Sequence, residues 1–349
     1  EYRRQRQMCI RDRHSTSIFG LSSAIIYNRD WDTPSKTERN YNQLTIEEKE
    51  SYRWIKASNE TKERISSDVH ITIVGDREND IYEDFDRIPD KRTDVLIRSR
   101  SDRRILEGDN KLYSYLESQP IHGIIKIEIP ASKNRTKREA ELEIKFSNVT
   151  IKSPENIKGK SKSINLNAIE VKEKSDSVPN NESPIHWRLL TTHKITSVEK
   201  AIECIGWYKK RWFIEELFRV VKSKGFAIEE SQLATGSALK KLLAMTLETA
   251  LQVMRLKLAL NDKDTPVERM FNDKQVKLFE ILTPKVEGET EKQKNPFKKH
   301  TLAWACWILA RLGAWTGYKS HGNPGYITIK NGLERFNIQY EIFVILYDQ

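Results

Sequence analysis

The distribution of apolar residues along the chain changes texture twice. In the first stretch, Ser15–Tyr27 reads as extended apolar structure, with Ile18, Phe19, Ile25 and Ile26 as expected core positions. Thr45-x-x-Glu48 has the spacing of a capping box and predicts a helix running to about Ser67. His70–Gly75 (HITIVG) is a β-branched run that reads as a short strand, followed by a helix over Ile81–Phe85 and a second short strand over Asp94–Arg98 (DVLIR). Strands alternating with helices predict an α/β fold.

From about Leu112 to Thr192 the period becomes that of strands alone. Ile124–Ile129, Ala140–Phe146, Ile164–Val171 and Trp187–Leu190 are separated by Asn, Ser, Lys and Pro clusters, which predicts an antiparallel β region inserted into the α/β pattern. Its Lys-rich segments, Lys133–Arg138 and Lys158–Lys162, read as solvated turns more readily than as arms that track DNA. Helical periods then return. Thr196-x-x-Glu199 is a second capping-box pattern, and the helix it opens is expected to run to about Lys224. Ser237–Leu260 carries Leu and Met on most faces, so full burial is expected. A charged linker (Val286–His300), a tryptophan-rich helix (Leu302–Trp315) and a last helix near Gly332–Leu346 complete the chain.

Composition narrows the function classes. With 349 residues and 38% hydrophobic content, the chain can bury one large core or two modest ones. No apolar run approaches the roughly 20 residues that span a bilayer. Three distant cysteines (Cys9, Cys204, Cys306) argue against a disulfide framework and show no metal-knuckle spacing. The net charge of +10 favours a polyanionic partner, because each cation set on a phosphate releases counterions. Residues 1–13 (EYRRQRQMCIRDR) join nothing that follows and read as a foreign leader. They carry five Arg against Glu1 and Asp12, so without them the charge is 10 − 3 = +7 and the chain is still basic.

Two carboxylates stand out by context. Asp76 closes the predicted strand in the string Gly75-Asp76-Arg77-Glu78-Asn79-Asp80, and strand C-terminal ends are where α/β folds place ligand chemistry. Glu215 lies in the second long helix. At about 100° per residue, Tyr208, Arg211, Glu215 and Lys222 share one face within roughly 60°. A carboxylate that can ligate a cation, two cations that can hold phosphate and an aromatic that can meet a base or sugar suit phosphodiester chemistry. Taken alone, the same stripe is also what an amphipathic helix with an Arg211–Glu215 i,i+4 ion pair would show.

The two strings together resemble the insertion-sequence-four family of DNA transposases. Tyr208-x2-Arg211-x3-Glu215-x6-Lys222 matches that family's signature in full, and Asp76-Arg77-Glu78-Asn79-Asp80 matches its Asp-Arg-Glu-Ala-Asp string with Asn79 in place of alanine. The resemblance runs from about His14 to the end. It implies a ribonuclease-H-like mixed sheet with an inserted antiparallel β subdomain and a C-terminal α-helical region. The parts would be 14–111 and 193–262 for the catalytic core, 112–192 for the insertion, 263–300 for a charged linker and 301–349 for a helical dimerisation region.

The resemblance further implies cut-and-paste transposition through a DNA hairpin, with two aspartates and a glutamate around two Mg²⁺ or Mn²⁺ ions. Asp76 would be the second aspartate and Glu215 the glutamate. Tyr208, Arg211 and Lys222 would grip terminal phosphates, Trp187 would stack on a flipped base, and Arg98 would lie beside the hairpin. Trp187 can equally be a core aromatic of its strand. The implied partners are double-stranded DNA (transposon ends and target) and a second copy of the chain on DNA, with no membrane, in the nucleoid-associated cytoplasm of a bacterium. Trp304, Trp307 and Trp315 would serve dimer contacts, or pack in the core.

The family carries its first catalytic aspartate upstream of the matching region. Glu1 and Asp12 fall in the leader, and Asp30 and Asp32 lie on the wrong side of Ser15–Tyr27, so the three-carboxylate site is expected to be incomplete and the chain inactive alone. A non-catalytic dimerising inhibitor and a ribonuclease-H-like nuclease without strand transfer are the competing readings.

Overall fold

The computed structural model describes residues 5–11, 18–26, 43–108, 111–129, 137–155, 161–180, 182–222, 226–233 and 235–347. Asp30, Asp32, most of Lys133–Arg138 and of Lys158–Lys162, and Lys224 lie outside them. The chain divides into two units, one built mainly from 22–212 and the other from 213–349, with the N-terminal strands split between them.

Residues Gln5–Arg11 (β1) and Ile18–Ile26 (β2) form a two-stranded sheet. Of the apolar positions expected in the core of β2, Ile18 is buried but Phe19 is 56% exposed. Ser22 and Ser23 are buried instead, bonding to Thr61 and Glu60 at 2.8 and 2.7 Å. Extended structure is present here, with Ile18 and Ser22 buried on one face and Ser23 on the other.

The sheet unit continues through α1 (Tyr52–Arg64), β3 (Ile71–Gly75), α2 (Tyr82–Arg87), β4 (Thr93–Arg98), α3 (Leu112–Ser118), β5 (Gly123–Ile129), β6 (Arg138–Lys152), β7 (Ser163–Glu173), β8 (His186–Thr191) and α4 (Val198–Lys210). The Thr45/Glu48 pair is formed, with the Thr45 N–H donating to Glu48 at 2.8 Å, but it caps a single 3-10 turn and α1 starts afresh after Ser51.

The six strands make one mixed sheet in the order β3-β4-β8-β7-β6-β5. β3 and β4 are parallel, β8 runs antiparallel to β4, and β5 to β8 form an antiparallel succession. The inserted β region therefore extends the α/β sheet through the β4–β8 pairing. Alternation sorts the side chains to two faces. Val95, Ile97 and Leu190 join a core shared with residues of α2 and α3, while Leu96 and Leu189 join one shared with Ala201, Cys204 and Ile205 of α4. Helices thus cover both faces, as expected of a ribonuclease-H-like α/β fold. Arg138, read as part of a solvated turn, begins β6 and is ion-paired with the fully buried Glu173 side chain.

The helical unit comprises α5 (Phe213–Lys222), α6 (Gly236–Ala259), α7 (Asp273–Val286), α8 (Leu302–Leu312) and α9 (Tyr326–Tyr347). The 263–300 segment is more than a linker. Asn272 and Gln275 form a capping box, and Val276, Phe279 and Leu282 bury one face of α7. α6 is buried on one side from Leu243 onward, whereas Met245 is 70% exposed. In α8, Trp304 and Trp307 are each 1% exposed and belong to the unit's own core, where Trp304 meets Phe279 edge-on. These two indoles are core residues and not a free dimer surface. α8 and α9 touch through glycine: a Cβ on Gly332 would lie 1.8 Å from the Leu309 carbonyl oxygen, and one on Gly313 1.9 Å from that of Thr328. No described helix is long and apolar enough to cross a membrane.

Candidate active site

β3 ends at Gly75 because the chain must turn back tightly, and a Cβ there would come within 2.6 Å of Asn79 Cβ. Asp76 follows and caps the 3-10 turn Arg77–Asn79, its Oδ1 accepting the Glu78 N–H at 2.8 Å. Its other oxygen, Oδ2, lies 3.8 Å from Nη1 of Arg211, and the side chain is about one-third exposed. One oxygen is tied to the backbone and the other points at a cation, where it can also meet a metal. A hard carboxylate oxygen at that position fits a Mg²⁺ or Mn²⁺ ligand.

Asp80, four residues on, is built differently. Its side chain is fully buried and accepts two bonds from Arg103, at 2.9 and 2.6 Å, and the backbone N–H groups of Arg100 and Ser101 at 2.6 and 3.2 Å. It organises the turn after β4. One string thus holds an accessible aspartate and an architectural one.

The parallel register places Gly75 opposite Ile97, so Asp76 and Arg98 stand at the same ends of adjacent strands. Arg98 Nη2 donates to the His186 carbonyl at 3.0 Å. β8 begins at that end too, and its Trp187 meets Tyr208 edge to face at 5.7 Å. The Arg211 guanidinium lies 5.8 Å from the Tyr208 ring centroid. The sheet unit therefore brings together five of the expected site residues: Asp76, Arg98, Trp187, Tyr208 and Arg211. Tyr208 is only 5% exposed and packs in the core.

The helix expected to run unbroken from Thr196 to Lys224 is interrupted. Ser197, one residue later than expected, is its N-cap, and α4 ends at Lys210. The N–H groups of Arg211 and Trp212 bond to carbonyls three residues back, at 3.0 and 3.3 Å, winding a tighter turn before α5. No Gly or Pro marks this break. The four signature residues are accordingly not all on one continuous helix: Tyr208 lies in the last turn of α4, Arg211 in the tighter turn, and Glu215 and Lys222 in α5 of the second unit. Glu215 is half-buried. Lys222 pairs with Glu229 at 3.2 Å.

A second group of side chains sits at the opposite end of β3. His70, Asp94 and His193 bring three ligand atoms within 4.8 Å of one another and could hold a single metal ion. Nothing in the sequence singles them out, since His70 reads there only as the first residue of a strand. They come from three separate segments with no motif spacing, and only the β3–β4–β8 pairing joins them.

The family model of the transposase DDE domain matches residues 52–250, more than half of the chain.

Proposed function

The chain belongs to the transposase DDE domain family, and from that premise we propose that it is a transposase of the insertion-sequence-four type. Its reaction is metal-dependent cleavage at transposon ends, hairpin formation and strand transfer, carried out on the bacterial nucleoid. Asp76 and Glu215 ligate Mg²⁺ or Mn²⁺, which when bound supplies activation of the attacking oxygen and charge stabilisation of the leaving one. Arg211 and Lys222 hold phosphate oxygens, Trp187 stacks on the flipped base with Tyr208 behind it, and Arg98 lines the same end of the sheet. The observation that carries the proposal is the Asp76–Arg211 approach beside the Trp187–Tyr208 pair at the strand ends. A reactive carboxylate, a phosphate-binding cation and a stacking platform lie together there.

Self-association on DNA belongs to the same reading. With Trp304 and Trp307 in the core, the surface that supports it is the end of α9, where Ile338, Ile342 and Ile345 are 53–65% exposed at spacings of four and three residues.

Calorimetry with Mn²⁺ on the full chain tests the metal assignment. Asp76→Ala and Glu215→Ala should each weaken binding about tenfold or more, since each removes a hard anionic ligand. Equal affinity in wild type and both variants would sink it. For DNA, Arg211→Ala and Lys222→Ala should each lower the slope of log K against log salt by about 0.9, the value of one released phosphate contact.

A further inference from the structure

We propose that His70, Asp94 and His193 form a binding site for one borderline transition-metal cation, with Zn²⁺ the best match, at the end of the sheet opposite Asp76. The two sites flank β3, whose rise of about 3.3 Å per residue separates them by roughly 20 Å. His70 Nε2 lies 2.7 Å from Asp94 Oδ2, and His193 Nδ1 lies 3.2 Å from the same oxygen. Tetrahedral Zn²⁺ with bonds of about 2.0–2.1 Å keeps its donors about 3.3 Å apart. One of these separations is already at that value and the other must open by about half an ångström. His70, 39% exposed at its side chain, has the freedom to make that adjustment.

The surroundings have the form of an outer shell. His193 Nε2 is bonded to Thr72 Oγ1 at 3.0 Å, which fixes the ring and leaves Nδ1 as the ligand atom. Asp94 Oδ1 accepts the Thr192 hydroxyl at 2.6 Å, which leaves Oδ2 for the metal. The His193 ring also packs against Trp207, with centroids 4.9 Å apart. Two imidazoles in a set of three donors select Zn²⁺ and its neighbours over Mg²⁺ or Ca²⁺, which prefer oxygen throughout. Three protein ligands at a partly exposed site leave a further position for water. The bound ion would clip together the start of β3, the start of β4 and the exit of β8 toward α4, and so act on the scaffold and not on the phosphodiester.

Titration of ZnCl₂ into the metal-free full chain, in a non-chelating buffer, tests this. We expect one equivalent bound at micromolar or tighter affinity, and Co²⁺ in its place should give visible absorption bands of a low-symmetry nitrogen/oxygen site. His70→Ala and Asp94→Asn should each weaken Zn²⁺ binding tenfold or more and remove the Co²⁺ bands, with circular dichroism unchanged. His70 is exposed enough for its variant to fold. Asp76→Ala should leave Zn²⁺ binding as it is, which separates this site from the proposed Mn²⁺ site. No binding at 100 μM Zn²⁺, or equal affinity in the wild-type and His70→Ala chains, would overturn the proposal and leave the cluster as a hydrogen-bonded set of side chains.

Discussion

In the sheet unit, Asp80, Glu83, Asp84, Glu170 and Glu173 are all buried, whereas the buried polar side chains of α6, α7 and the residue capping α8 are Thr246, Thr283 and Thr301. The threonines satisfy themselves locally, each hydroxyl donating to a backbone carbonyl three or four residues back. The carboxylates need partners from distant segments: Arg103 for Asp80, Arg138 for Glu173, and Arg188 with His186 for Glu170. Asp84 has no ion-pair partner to match these among the described residues, and burial, then the charge of Glu83, pushes its carboxyl well above the usual carboxylate range against the weaker opposing effect of Asn79. Buried ion pairs are a weak source of net stability, because desolvation offsets much of their attraction, but losing one partner is costly. The helical unit is held by shape. The sheet unit additionally fixes charged side chains in place, and it is the unit in which Asp76 and Arg211 meet.

The contrast is open to attack, and the strongest blow should be Asp80→Ala. It strands a buried Arg103 and two backbone N–H groups, so a loss of about 4 kcal/mol is expected, within the range for breaking a buried pair. Hydrogen exchange read by mass spectrometry should show the loosening in peptides of α2 and β4, with α7 to α9 unchanged; a loss under 1 kcal/mol would mean the charge network does not hold the turn. In the helical unit the corresponding weak point is steric. Gly332→Ala forces a methyl against the Leu309 carbonyl and should cost about 3 kcal/mol as overpacking, with the loosening confined to α8 and α9.

Glu170→Gln is gentler and depends on pH. Burial alone would raise the Glu170 pKa, but the His186 hydrogen bond and the Arg188 charge outweigh it and the net shift is downward. A carboxyl whose pKa is depressed on folding contributes stability above its unfolded value, near 4.3, and loses that contribution as pH falls through the folded value. Urea denaturation at pH 7 should therefore show Glu170→Gln less stable by about 1.5 kcal/mol, the scale of a hydrogen bond to a charged group. The gap should close below about pH 4. A gap that stays constant down to pH 3 would contradict the depressed pKa. The smallest effect belongs to Asp76→Ala, whose partly exposed side chain should change stability by no more than about 0.5 kcal/mol while Mn²⁺ binding falls. If Asp76→Ala destabilised as much as Asp80→Ala, Asp76 would be architectural too.

Much of the sheet is legible in the sequence. Alternation over Ile124–Ile129, Ala140–Phe146, Ile164–Val171 and Trp187–Leu190 marked four strands, all of which extend somewhat further in the fold. The reason is that side-chain period is a local property, set by the pleat and by which face is buried. Gly75-Asp76 at a strand end was legible on the same grounds. The interruption at Arg211–Trp212 was not, since no Gly or Pro signals it and one helical period fits both sides. The burial of Ser22 and Ser23 in β2 is not legible in the sequence, because their partners in α1, Thr61 and Glu60, lie 37 to 39 residues away. The tryptophans of α8 announced burial or an interface without distinguishing them, and only the packing of Phe279 against Trp304 assigned two of them to the core.

Local chemistry and periodicity, then, determined the strands, most of the helices and the candidate carboxylate at the end of β3. Tertiary structure alone decided which strands are neighbours. From that followed the gathering of Arg98, Trp187 and Arg211 around Asp76, and of His70, Asp94 and His193 at the other end. Such clusters depend on the register between segments far apart in the chain, and no spacing within a single segment encodes that register.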